Sequence, residues 1–465
     1  MKNKRKIWIF LFMFISVRLF SKEFNINEDL SYLKYLLEQA YAGYDYNVAN
    51  GTDYNKLLKN VQSKYNSLLK DNKTDNIDIF AKCIDEELIQ KNLPDNHFFI
   101  STDKKYYGIV SHYWSYSPMI IEKRENRYFV YNPSEDSIPE GTEYTGSKEN
   151  LFPCYYNGDI KYYVGCLSVK FEKLLTTSFD NKTVQIPLYG DYIVQKHNWI
   201  NMYTTEKTFY LSIGDCNLYN EDSKKHKEAK LLLDNCIQKL HKKKYENIIL
   251  DLRGNNGGTE NNILPVLLAI NSEPNKKKED EFTKKIRFLR NGEKDYFSTP
   301  INEAFYEYYK TNSGIKIDNL DDYKNNKEKK RFSIVKFPDN NYKSDFKGRL
   351  FILMNTFTAS AAEQIILDAH LFENVILLGT NTMGGIDYES LLTYELPNSR
   401  IQVNLPATSH KETTALQINK HWHGDTFGFY PDYWCTSFDL LPTLIELTDD
   451  VDLENVLFDL EKGLL

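Results

Sequence analysis

Cysteine is scarce in this chain: six in 465 residues, with no CxxC spacing anywhere. That excludes a zinc ribbon and a small disulfide-dense fold. Cys154 and Cys166 are the one pair close in sequence, which is weak ground for a bridge, and Cys236 falls on the apolar stripe of an expected helix and reads as a buried thiol. Glycine (21) and proline (14) are too few for a collagen-like or linker-dominated chain. Positive charge is also short. The 58 Lys and Arg against 65 Asp and Glu leave a formal net charge of −7, so no basic field draws phosphates in, and nucleic acid is not expected as a partner. No internal repeat is visible, and beyond the N-terminus no apolar run has the length of a membrane span. What the chain does hold is 41% hydrophobic residues, 34 Tyr among them, enough for a packed core and against wholesale disorder.

The N-terminus reads as a targeting segment. A cationic KNKRK (2–6) precedes the apolar Ile7–Val17, which has the size of a secretory h-region and is short for a bilayer span. Ser21 is small enough for a cleavage site, although Leu19 three positions before the cut fits it poorly. Residues 1–22 are therefore expected to be a signal peptide, and the body to be exported, periplasmic or secreted. An uncleaved signal anchor is the alternative, and it would be the one membrane contact.

The rest divides by pattern. Residues 23–97 carry Leu, Tyr, Lys and Asn at helical spacing, as in Leu30, Leu33, Leu36 and Leu37. Residues 98–204 change to short β-branched or aromatic strings such as MIIEKR, RYFVY and KTVQIPLY, separated by turn formers. From 205 to 465 strands alternate with helices: FYLSIG (209–214), an amphipathic helix over 222–243 with Leu231, Leu232, Cys236, Ile237 and Leu240 inward, then NIILDL (247–252), LFILMN (350–355), a helix from Ser360, and VILLG (375–379). That alternation implies an α/β core. The charge runs KKKEDE and KNNKEKKR mark 272–347 as a solvated insertion on it.

Two strand ends carry the chemistry. Asp251-Leu252-Arg253-Gly254-Asn255-Asn256-Gly257-Gly258 follows a buried strand, and paired glycines let backbone N–H groups face a ligand. Alone, such a turn is more often structural. Thr358-Ala359-Ser360-Ala361-Ala362-Glu363 joins a strand to a helix, where a serine hydroxyl is presented at the sheet end with the Ala361 N–H beside it. The same Ser-x-x-Glu is a helix capping box, which would make Ser360 merely structural. His97, in Leu93-Pro94-Asp95-Asn96-His97, is a candidate base. His421 and His423 share a strand face without a third ligand at a telling spacing, so no metal site is expected.

Taken together, DLRGNNGG, NTFTASAAE, LLGTNTMGG and GFYPD stand in one order, and in that order the chain resembles the C-terminal processing (tail-specific) and tricorn-type serine peptidases. The resemblance covers roughly 205–465 outside the insertion, with His97 upstream. It implies a crotonase-like (ClpP-like) α/β spiral core, a peptidase activity on polypeptides such as unfolded or C-terminal segments, and no cofactor. Ser360 matches the nucleophile, and Ala361 with Gly257 or Gly258 the oxyanion hole. In the processing branch a Lys serves as base about 25 residues after the Ser; here that place is Gly385, and Thr380–Ser390 holds no Lys. In the tricorn-like branch the base is an upstream His, matched by His97, with a late acid matched by Asp425. Two departures stand out: Asp425 replaces a Glu, and Asn96 precedes His97 where the pattern has a Ser. The expectation is an exported serine endopeptidase with a Ser–His site; the alternative is an inactive ligand- or peptide-binding protein on the same fold. The β-rich stretch lacks the glycine-rich carboxylate loop of a PDZ-like domain, Pro139-Glu140-Gly141-Thr142 being its nearest trace.

Overall fold

The computed structural model describes residues 25–69, 76–133, 138–190, 200–217, 224–258, 263–270, 288–289, 332–333, 346–369, 372–411 and 419–462. The expected signal peptide and nearly all of the expected insertion lie outside them.

Among the described residues four α-helices come first: α1 (Ile26–Gln39), α2 (Tyr44–Ala49), α3 (Tyr54–Leu69) and α4 (Asn76–Glu87). Asn25 caps α1 by accepting the Asn27 N–H, and Glu28 and Asp29 lie in its first turn, where the helix dipole favours acids. The helices bury Leu33, Leu36, Leu37, Val61, Phe80 and Ile84 against a small antiparallel sheet. That sheet joins β1 (Phe99–Ser101) and β2 (Tyr106–Tyr107) to β18 (Tyr388–Glu395) and β19 (Gln402–Ser409), in the order β18-β19-β1-β2. The register pairs Phe99 with Asn404. Strand β1 thus pairs with chain some 300 residues away, and this brings the His97 segment to the late part of the chain.

Residues 113–190 form an eight-stranded antiparallel sheet, β3 (Tyr113–Arg124) to β10 (Tyr189–Gly190), without an α-helix among the described residues. Pro139–Thr142 is a turn, with Thr142 N–H donating to Pro139 O. Trp114 and Phe152 of this sheet pack on Trp434 and so anchor it to the remaining unit.

That unit is a six-stranded sheet, order β11-β12-β13-β16-β17-β20, made of β11 (Ile200–Thr204), β12 (Thr208–Ile213), β13 (Asn247–Asp251), β16 (Arg349–Met354), β17 (Val375–Gly379) and β20 (Tyr433–Trp434). All neighbours are parallel except β11 with β12. The short pair β14 (Phe288–Leu289) and β15 (Phe332–Ser333) stands apart. Parallel strands covered on both faces read as unbroken apolar runs. Here Ile248, Leu250, Leu350 and Ile352 point into a core with α5 (Lys224–Lys242), α6 (Leu264–Ala269) and α7 (Ala361–Asp368). The alternate residues Ile249, Phe351 and Leu353 point into a second core with α8 (Leu440–Thr448) and α9 (Leu453–Lys462). One expectation is corrected: α5 buries Ala229, Leu233, Cys236 and Leu240, whereas Leu231 is 62% exposed and Leu232 38%. The buried spacing is that of one helical face, which excludes two of the three consecutive leucines. All six cysteines are free thiols, Cys154 and Cys166 included.

Candidate active site

The loops that leave β13, β16 and β17 converge at the carboxyl ends of the parallel strands, the usual place for a site in such sheets. After β13, Asn255 is fully buried: its Nδ2 donates to Ile213 O at 2.9 Å, and its Oδ1 accepts the Gly257 N–H at 2.9 Å. Gly257 has φ +96°, and a Cβ there would lie 2.7 Å from Ala359 O, 2.8 Å from Ser360 Cβ and 2.9 Å from Ala361 N. Only glycine fits, so the loop presses directly on the serine turn. The Gly257 N–H is spent on Asn255. Gly258 is exposed at φ +126°, and a Cβ there would lie 2.5 Å from Asn217 Cγ.

Ser360 has φ +51° and ψ −119°. An L-residue held there is strained, and strain of this kind collects at functional turns. The turn is tied down from both sides. Ala359 N–H donates to Asn255 O at 2.9 Å, and Thr358 Oγ1 donates to Leu252 O at 2.9 Å. Ala361 opens α7, so its N–H has no intrahelical carbonyl to reach.

Glu363 does more than close a capping box. It is fully buried. Its Oε2 accepts Ser360 N–H at 2.9 Å and Gly385 N–H at 2.8 Å, and its Oε1 accepts Gly384 N–H at 2.8 Å and Thr382 Oγ1 at 2.5 Å. Burial pushes its pKa up to about 7 while these four donors pull it back. One carboxylate therefore joins the serine turn to the loop after β17.

His97 reaches this place from the far end of the chain. Asp95 Oδ1 accepts the N–H groups of His97 (2.8 Å) and Phe98 (3.1 Å), and Tyr41 OH donates to Asp95 Oδ2 at 2.8 Å. Asn96 Nδ2 donates to Ser111 Oγ (3.2 Å), Met383 O (3.2 Å) and Gly384 O. The amide's two N–H groups serve these three acceptors with one proton shared, which a serine hydroxyl with a single proton could not do. The ring then lies on Gly385: the place of a Cβ on that glycine is 3.5 Å from His97 Cε1 and 3.6 Å from Glu363 Oε2. Glu363 Oε2 thus joins the Ser360 and Gly385 N–H groups, and the His97 ring lies beside Gly385. Burial lowers the His97 pKa, which keeps the imidazole neutral at neutral pH, and its Nδ1 is buried without a hydrogen-bond partner.

Asp425 does not reach that ring nitrogen. Its Oδ2 accepts the Asn96 N–H at 3.4 Å and its Oδ1 the Asp387 N–H at 3.1 Å, while its own N–H donates to Asp387 Oδ2 at 3.2 Å. Asp387 also takes Trp422 Nε1 at 3.0 Å and the Lys411 ammonium. The buried Asp387 and Asp425 share the part-buried Lys411, and the buried Asp95 lies close enough to repel Asp425. Burial first, then the charges of Asp387 and Asp95, push Asp425 well above the carboxylate range, and Asp95 rises to about 7 by burial. An acid with a raised native pKa costs stability as pH climbs past its unfolded value, because the unfolded chain gives up the proton first. Relative to wild type, Asp425→Asn is therefore expected to gain stability by about 1.4 kcal/mol per pH unit from about pH 4 upward, in paired urea melts. No gain with pH would show that Asp425 is ionised.

His421 and His423 make their contacts within their own loop. His421 Nδ1 faces Tyr430 O at 3.0 Å and its Nε2 Asp432 Oδ1 at 3.4 Å, and His423 stacks on Tyr430. Among the described residues no group of three or more His, Cys, Asp or Glu could hold a metal ion. Asp387, Glu389 and Lys411 were not expected at the site; their one sequence signal is the spacing of two acids just after the glycines in MGGIDYES.

Residues 210–432 match the model of peptidase family S41. Over that span, a little under half of the chain, the sequence is similar to peptidase family S41. The matched span holds β13, β16 and β17, Ser360, both glycines and Asp425; His97 precedes it. Among solved structures, the chain is similar to mature CPAF complexed with lactacystin (12% identity, 91% of this chain and 96% of that one, TM-score 0.43). It is also similar to a photosystem II D1 C-terminal processing protease (13%, 91% and 96%, TM-score 0.35) and to the tricorn protease (12%, 88% and 34%, TM-score 0.30). The comparison with curated proteins returned no match.

Proposed function

We propose that the chain is an exported serine endopeptidase that hydrolyses peptide bonds in unfolded or C-terminal segments through Ser360 and His97. In this reading His97 takes the Oγ proton as Ser360 attacks the scissile carbonyl, then gives it to the leaving amine. The N–H groups of Ala361 and Gly258 receive the oxyanion, with the amino end of α7 adding to their field. The two-faced parallel sheet is read as a crotonase-like spiral core, and the N-terminal KNKRK with its apolar run as the export signal.

The carrying observation is the strained Ser360 backbone, tied through Glu363 to Gly385, beside which the His97 ring lies. It also argues against a Ser–Lys dyad. Position 385 has no side chain, the ring covers the side toward which one would extend, and the nearby Lys411 is bound to Asp387. Asp425 is read as neutral support for the His97 segment rather than as the charged member of a triad.

The test is cleavage of a mixed-sequence peptide library by the purified chain. The account expects wild-type cleavage that Ser360→Ala removes. Cleavage that survives the substitution would contradict the role of Ser360, and a wild type that cuts nothing would favour the non-catalytic binding reading.

A further inference from the structure

We propose that Glu389, held in place by His410, is the carboxylate that supports His97 during proton transfer. The inference rests on the reading of Ser360 and His97 above and adds a positioning residue to it.

The other acids near the ring face elsewhere. Asp95 turns to backbone N–H groups and Tyr41, Glu363 to its four donors across Gly385, and Asp425 to the Asn96 N–H and Asp387. Glu389 is the second residue of β18, four residues after the glycine on which the ring rests, and is paired with Thr408 of β19. His410 follows β19, and its Nε2 lies 2.8 Å from Glu389 Oε2, with both side chains largely buried. The His97 segment enters the same sheet through β1, whose Phe99 pairs with Asn404 of β19. Three strands therefore bring His97, Glu389 and His410 into one cluster.

Charge reaches the ring from those two side chains: Glu389 favours the imidazolium against the larger effect of burial, and His410 opposes it in the same direction as burial. When His97 takes the Ser360 proton, a positive charge forms in a buried place where Asp425 is too protonated to meet it. The Glu389 carboxylate opposes that charge until the proton leaves with the amine. His410 fixes the carboxylate and, when protonated, tempers it.

The experiment is an NMR titration of the full chain carrying labelled histidine, with the His97 signal assigned from His97→Gln. Glu389→Gln is expected to lower the His97 pKa by about one unit and His410→Gln to raise it, while Glu389→Asp stays near wild type. Glu395→Gln, which removes the exposed partner of Arg400, is the control and leaves it unmoved. Opposite shifts are what a merely structural role would not produce. The pH dependence of Ser360 labelling by a fluorophosphonate is expected to move in the same directions. An unmoved His97 in Glu389→Gln, or equal shifts in both variants, overturns the inference. If the shifts appear but the wild type takes no label, the pairing stands and the proteolytic reading falls.

Discussion

Ser360→Ala lowers kcat/KM for peptide cleavage by about 10⁴-fold or more, and adding His97→Gln costs little further. The two residues act as one unit in the account: without the hydroxyl there is no proton for His97 to accept, so the second loss is already contained in the first. His97→Gln alone should fall nearly as far. The backbone makes this sharper than a surface-serine test. Ser360 is held at φ +51° between Gly257 and Glu363, so alanine removes the hydroxyl without releasing the turn. The residual rate reports the oxyanion groups, since they are backbone and survive both substitutions. Additive losses would mean that the two side chains work separately.

Glu363→Gln is expected to lower stability by about 3 kcal/mol and peptide cleavage by about 10²-fold. The carboxylate accepts four hydrogen bonds, two at each oxygen, from Ser360, Thr382, Gly384 and Gly385. An amide can accept at one end only. Its NH₂ then faces two donors, and those stay buried and unmade. The rate falls because the same bonds tie the serine turn to Gly385, beside which the imidazole lies. Chemical melts and steady-state kinetics on one preparation check both halves. A helix cap and nothing more would cost about 1 kcal/mol with little change in rate.

Legibility followed locality. Strands β13, β16 and β17 were readable because both faces are buried and the chain shows it as continuous apolar runs. Ser360, Gly257 and Gly258 were readable because each stands at the end of such a run. The inward face of α5 was misjudged because Leu231, Leu232 and Leu233 are consecutive, and only packing against β11 and α6 selects Leu233. The ring of His97 on Gly385 could not be seen, since it depends on β1 pairing with β19. The charge balance was hidden for the same reason: Asp95, Asp387, Lys411 and Asp425 come from four segments, and their partners are set by tertiary contact. The acid at 425 was found by its place before Gly428, yet its role turned on burial and on neighbouring carboxylates.

The most direct measurement is site-mapped mass spectrometry of the intact chain after treatment with a fluorophosphonate. The account predicts one adduct, on Ser360, formed in wild type and slowed at least about 10³-fold in His97→Gln, because only a serine with a base at hand attacks phosphorus readily. An adduct on another residue, or equal labelling of Ser360 with and without His97, would contradict it.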